Sequence, residues 1–365
     1  MIDPNSRSLE WILESCHINK VSDPTLMEKA IRAFSLLEAL ARSGCPFLFK
    51  GGSALMLQLD CTQRLSVDID IVCPPDTDVI SYLMPFAAEY GFGEIKPSDR
   101  ISRTNVPKTH AKCFYQVSYV TNTATEKILL DVLFEDNWYS CIDHKPIVSP
   151  FLQMTGEPLT VNLPSKDDLL GDKLTAFAPN TTGIPYIKTV IGRGGLPEER
   201  HCSMEIIKQL FDIASLFDRI DDLSIARATF EKIAPIELDY RRMDSGDITP
   251  ILDDIYNTSE LICTGIYTKD QNFEYQELVR GINQIRPLII SEKYNHYSAI
   301  VNASKAAYLS VLIRKGINEI RHYDPVIDLR SVKLNAPINP AINKIKTFRP
   351  EAFYYWMQIE KLLTQ

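Results

Sequence analysis

The sequence predicts an α+β protein: a small mixed sheet with flanking helices, followed by a helical domain. Two observations carry this. Between Phe47 and Leu163, short apolar or alternating runs recur between turn residues, which is the pattern of strands. From Asp221 onward, apolar residues recur every three or four positions, which is the pattern of helices that bury one face. At 365 residues and 45% hydrophobic, the chain can bury more than one core. The predicted division is 1–46, helices packing on the sheet; 47–164, the sheet core; 165–220, two helices and a long loop; and 221–365, the helical domain.

Composition narrows the function. The net charge of −8 excludes a generic nucleic-acid coat, so any polynucleotide contact must come from a local basic patch. The first residues are polar and no apolar run approaches the roughly 20 residues that span a bilayer, so neither a signal peptide nor a membrane segment is expected. The eight cysteines are scattered without C-x-x-C or zinc spacing, which fits reduced thiols in the cytoplasm.

Near the N-terminus, Asp23-Pro24 is a cap with proline in the first turn, and Leu26, Ala30, Phe34, Leu37 and Ala41 then keep helical spacing until Gly44. Phe47-Leu48-Phe49 is a short buried strand. It runs into Gly51-Gly52-Ser53, where the glycines permit a tight turn and close backbone approach, and Ser53 can cap the helix that follows. A glycine turn opening a helix suits an anion, because the first N–H groups lack partners and the helix dipole favours negative charge. Ser66 to Val72 alternates, placing Val67, Ile69 and Ile71 on one face of a strand and Asp68 and Asp70 on the other. Taken alone, D-x-D is more often a solvated strand face. Beside a glycine turn it pairs phosphate-binding amides with carboxylates suited to hard divalent cations.

Farther along, Asp78 to Tyr90 is a helix with a kink near Pro85. Arg100, Arg103, Lys108, His110 and Lys112 fall in a stretch of little apolar content, read as a loop that is either solvated or a basic edge for polynucleotide or triphosphate. Cys113–Val120 and Lys127–Phe134 are strands. Asp131 interrupts the second, and serves there either as a third carboxylate beside Asp68 and Asp70 or as a strand-end carboxylate paired with a lysine or an amide. Glu157–Leu163 is a further strand, and Ser165 starts a helix through Phe177 in which periodicity alone makes Lys173 a surface residue. Ala178 to Cys202 reads as a structureless span, either a functional loop or a disordered one. Ser203 caps the next helix, where Lys208 and Asp212 are spaced as an ordinary surface ion pair. Helices follow at Ser224–Ala234, Asp247–Cys263, Phe273–Ile290, Tyr294–Gly316 and Glu351–Leu363.

GGS, fourteen residues and then D-x-D, with RLSVDID around the aspartates, resembles the nucleotidyltransferase superfamily with the DNA polymerase β fold. Within it, this stretch together with LLDVLF, GDKLTAF and KQLFDIASLF is similar to the AbiEii/AbiGii toxins of type IV toxin–antitoxin and phage-defence systems. The resemblance covers roughly residues 30 to 220. It implies a polymerase β-like nucleotidyltransferase core and the transfer of NMP from NTP to an RNA acceptor, the tRNA 3′ end being the leading case, with arrest of growth. It also implies Mg²⁺ or Mn²⁺ on Asp68, Asp70 and Asp131, Lys173 among the catalytic groups, and a nucleotide site of Gly51, Gly52, Ser53, Arg64, Lys208 and Asp212. A cognate antitoxin encoded nearby is a further implied partner. The Arg-Asp pair often found near the last motif is replaced here by Gln209-Leu210, which leaves the partner of Asp212 open.

Two alternatives share parts of this pattern. An aminoglycoside-type small-molecule nucleotidyltransferase would need an acidic acceptor pocket, and a catalytically silent nucleotidyltransferase-like binding module would not need the aspartates. If three aspartates converge they repel one another, so Asp131→Asn is expected to leave the metal-free protein equally or more stable.

Overall fold

A computed structural model describes residues 1–59, 61–97, 106–118, 124–191, 195–268 and 272–364. Arg100 and Arg103 of the basic stretch, and the end of the strand expected to reach Val120, lie outside these residues. The chain forms two compact units: Met1–Lys166 with Pro287–Lys293, and Asp167–Arg286 with Tyr294–Gln365.

The first unit opens with α1 (Leu9–Ile18) and α2 (Pro24–Ser43). The second helix starts as its sequence dictates, with the Asp23 side chain accepting from the Thr25 N–H, and ends at Gly44 in the left-handed region. Next come β1 (Leu48–Lys50), α3 (Gly51–Gln58), β2 (Ile69–Cys73), α4 (Val79–Ala87), β3 (Phe92–Pro97), β4 (Lys108–Gln116) and β5 (Thr125–Phe134). These strands form one sheet in the order β1-β2-β5-β4-β3. Only β2 and β5 run parallel, which makes the sheet mixed. A hairpin of β6 (Ile142–Pro146) and β7 (Thr160–Pro164) completes the unit.

Alternation divides the two central strands. Ile69, Ile71, Leu130 and Val132 are at most 1% exposed, and α2 packs against both β2 and β5. Asp70 and Asp131 fall between these residues in sequence and therefore on the opposite face. The expected strand from Ser66 is shorter than its alternation suggested and begins at Ile69. The reason is a competing partner: Leu65 N donates to Leu288 O, the N–H groups of Ile290 and Ser291 donate to Gln63 O, and Arg64 bridges Ile289. The segment before β2 thus pairs with the returning Pro287–Lys293 stretch.

The second unit carries α5 (Lys166–Ala176), a hairpin of β8 (Ile187–Ile191) and β9 (Pro197–His201), and then α6 (Ser203–Phe217), α7 (Leu223–Tyr240), α8 (Thr249–Thr264), α9 (Phe273–Ile285), α10 (His296–Lys315) and α11 (Pro350–Thr364). The hairpin corrects the expectation of a structureless loop from Ala178 to Cys202. Its strands are almost wholly exposed, so they carry no buried face for periodicity to reveal. α10 is buried nearly all round, and the Phe217 ring at the end of α6 meets Tyr308 and Tyr355 edge-on.

Candidate active site

Two glycines show how the sequence motifs meet in space. Gly51 has φ +79°, and a Cβ there would lie 2.2 Å from Asp70 Oδ2. Both the backbone conformation and the carboxylate exclude any side chain. A Cβ on Gly52 would lie 2.5 Å from an Arg64 guanidinium nitrogen and 3.1 Å from Ser66 Oγ. The glycine turn therefore rests directly on the R-x-S-x-D-x-D stretch. Ser53 does not cap the helix as expected. α3 already begins at Gly51 with Lys50 in the cap position, and Ser53 is buried, its Oγ donating to the Asp68 carbonyl. Asp68 thus sits just before β2, tied by its backbone to the glycine turn.

Register builds a row of charges across the sheet. Lys50 of β1 is opposite Asp70 of β2, Asp70 is opposite Asp131 of β5, and Asp131 is opposite His110 of β4. Opposed residues share a face, so the row runs cation, carboxylate, carboxylate, imidazole. Lys108, two residues before His110, reaches the same point. Its ammonium donates to Asp131 Oδ2 at 3.0 Å, and His110 Nδ1 lies 2.5 Å from Oδ1. The basic stretch is therefore not a loop from Lys108 to Lys112. Lys108, His110 and Lys112 alternate along β4, a period-two signal that sequence reading passed over by starting the strand at Cys113.

These partners reverse the expected behaviour of Asp131. Burial raises its pKa, but the His110 hydrogen bond and the Lys108 charge outweigh burial and hold the carboxyl at about 2. In the unfolded chain it would titrate near 3.9. A depressed carboxyl contributes stability that is present above the unfolded value and lost as pH falls through the folded one, so this contribution disappears between about pH 4 and pH 2. Asp131→Asn is thus expected to destabilise the metal-free protein at pH 7, on the order of 2 kcal/mol, with the difference from wild type fading toward pH 2. Urea melts in EDTA at pH 7 and pH 3 test this, and an unchanged or stabilised variant at pH 7 would contradict it.

The donor set bears on the divalent ion that such a site implies. Asp70 and Asp131 are neighbours in one row with Asp68 two residues before, and carboxylate oxygens suit a hard cation. Among the described residues, however, no three His, Cys, Asp or Glu side chains are gathered as a metal cluster. The donors fit a cation by their chemistry at Asp68 and Asp70. Asp131 faces the same way but is engaged by β4.

In the second unit, Lys173 is not a surface lysine. It is buried on α5, its ammonium 2.9 Å from Asp212 Oδ2 on α6 and donating to Gln209 Oε1 at 3.1 Å. This answers the open question about Asp212, whose partner comes from the preceding helix. Gln209, one of the two residues that depart from the family pattern, accepts from the same lysine. Lys208 lies on α6 beside this pair, half-buried. Gly51, Gly52, Ser53, Arg64, Asp68, Asp70 and Asp131 thus belong to the first unit, and Lys173, Lys208 and Asp212 to the second.

A glycine turn seated on strand carboxylates, within a small mixed sheet with flanking helices, is the core of a nucleotidyltransferase. Residues 35–281 match the family described as nucleotidyl transferase AbiEii toxin, type IV toxin–antitoxin system, and the chain belongs to that family. It is therefore a nucleotidyltransferase toxin, of a family that uses NTP and divalent metal and is paired with an antitoxin. No curated protein matches the chain. Among solved structures, it is similar to JHP933 from Helicobacter pylori, at 14% identity over 80% of this chain and 94% of that one with a TM-score of 0.40. It is also similar to the nucleotidyltransferase toxin MenT4 from Mycobacterium tuberculosis H37Rv, at 10% identity over 82% and 89% with a TM-score of 0.45. Among the described residues, no helix is long and apolar enough to cross a membrane.

Proposed function

We propose that this toxin transfers NMP from an NTP to the 3′ end of an RNA, with tRNA the leading acceptor, and arrests growth in the cytoplasm, as in phage defence. The observation that carries this reading is the contact of Gly51 with Asp70, which puts the first backbone amides of α3 beside a carboxylate suited to a divalent ion.

In this reading the Gly52 and Ser53 amides hold the terminal phosphates, and Arg64, packed under Gly52, supports the turn from below. Asp68 and Asp70 would hold Mg²⁺ or Mn²⁺, with Asp131 beside them. When bound, such an ion lowers the pKa of an acceptor hydroxyl and offsets charge on the departing pyrophosphate. In the second unit, Lys173, held by Asp212 and Gln209, and Lys208 are the candidates for contact with phosphate. The basic residues along β4 favour a polyanionic acceptor over a cationic aminoglycoside.

Incubating the protein with each labelled NTP, Mg²⁺ or Mn²⁺ and total RNA should move label into RNA of tRNA size. Label appearing only on an aminoglycoside would select the small-molecule alternative. No transfer to either would select the silent binding module.

A further inference from the structure

Lys108 is an unusual neighbour for a carboxylate assigned to a metal. It reaches Asp131 Oδ2 at 3.0 Å while His110 lies 2.5 Å from the other oxygen, so both oxygens of Asp131 meet donors of this same chain. The geometry is set by the sheet. His110 is opposite Asp131 in the antiparallel pairing of β4 with β5, and Lys108 lies two residues before it on the same face. The lysine side chain is 31% exposed and that of Asp131 is 17% exposed, so the pair sits at an opening rather than in the core. On its other side Asp131 adjoins Asp70, which has Lys50 opposite on β1.

We infer that Lys108 serves two partners in turn: it is the resident cation of Asp131 in the empty site and a ligand for the triphosphate of a nucleoside triphosphate once a divalent ion has taken its place on Asp131. The inference rests on the nucleotide and metal reading above. Its physical basis is charge. Two neighbouring strand carboxylates repel each other, and a cation close to one of them relieves that repulsion in the free protein. The same ammonium must be displaced for the carboxylate to bind a metal, so Lys108 competes with the ion. Once displaced, it stands on a flexible four-carbon stem on the face where the triphosphate would lie, and can donate to phosphate oxygens. His110 stays on the other oxygen and keeps the carboxylate oriented, which makes it a positioning residue.

Competition and handover have opposite signs, which gives a test that a merely structural lysine would not pass. Mn²⁺ binding without nucleotide is measured by electron paramagnetic resonance, and binding of the Mg²⁺ complexes of ATP, GTP, CTP and UTP by calorimetry. The proteins compared are the wild type, Lys108→Met and Lys108→Arg. The Met variant is expected to bind Mn²⁺ about tenfold more tightly and the preferred nucleotide complex about tenfold more weakly, the scale of one charge-assisted hydrogen bond. The Arg variant should stay close to wild type in both. Melting in EDTA checks folding. If Lys108→Met does not fold, Lys108→Gln keeps a hydrogen bond to Asp131 without the charge and should shift both affinities in the same two directions. Affinities that fall together, or a Mn²⁺ affinity that does not change, would overturn the inference. So would failure of the wild type to bind any of the four nucleotide complexes. Asp131→Asn separates the levels. If it leaves Mn²⁺ affinity unchanged, Asp131 is no ligand and the handover fails while the reading of Asp68 and Asp70 stands; if Asp70→Asn also leaves it unchanged, the underlying metal reading fails. If it weakens Mn²⁺ while Lys108→Met has no effect, only the handover fails.

Discussion

Asp70→Asn should lower nucleotide transfer on the order of 10³-fold or more while leaving the melting temperature in EDTA within a few degrees of wild type. The substitution keeps the shape that Gly51 has been cleared to accommodate and removes only the charge. Asp68→Ala should cause a similar loss. It acts on the same ion from a residue whose backbone is tied to the glycine turn through Ser53. Steady-state transfer assays with saturating Mg²⁺ or Mn²⁺ measure both. Activity of either variant within about tenfold of wild type would remove the metal assignment, because no metal ligand is that dispensable. A large drop in melting temperature would instead make Asp70 a structural counter-ion of Lys50.

Lys173→Met should have the largest effect on stability. Both members of the Lys173–Asp212 pair are buried, with side chains 6% and 3% exposed, so removing the ammonium takes a buried cation away from a buried carboxylate. The expected loss is about 3–5 kcal/mol by urea titration. Adding Asp212→Leu to that variant should recover much of the loss, because two apolar groups can pack where a lone charge cannot. Both proteins should nevertheless be inactive if Lys173 meets phosphate, so a stable and inactive double variant separates the lysine's part in the fold from its part in chemistry. A single variant that unfolds like wild type would show that the pair contributes little.

The elements that the sequence made legible are those with one buried face or an unambiguous stop signal. α2 starts at its Asp-Pro cap and ends at its left-handed glycine, and the five helices expected after Asp221 all form, with bounds shifted by up to six residues. Asp131 stood out because a carboxylate interrupted an apolar run, and that signal correctly put it beside Asp70. What could not be read depends on partners distant in sequence. The start of β2 is set by residues 287–293, and no local pattern in RLSVDID announces them. Lys173 looked superficial because the helix bearing it is buried on more than one side, which erases amphipathic contrast. Lys50 directly precedes the glycine turn, yet no local pattern marks it. Its meaning lies in cross-strand register, which becomes readable only when strand pairs are known.

The returning stretch Pro287–Lys293 also bears on the order in which the first unit can be completed during synthesis. The segment that carries Arg64 under the glycine turn donates to Leu288 and accepts from Ile290 and Ser291, which are made long after the rest of that unit. A ribosome emits the chain from the N-terminus. Residues 63–65 therefore lack these partners throughout synthesis of the first 286 residues, including most of the second unit. Discontinuity in sequence thus sets an order in time: the segment before β2 meets these hydrogen-bond partners only after translation has passed Ser291.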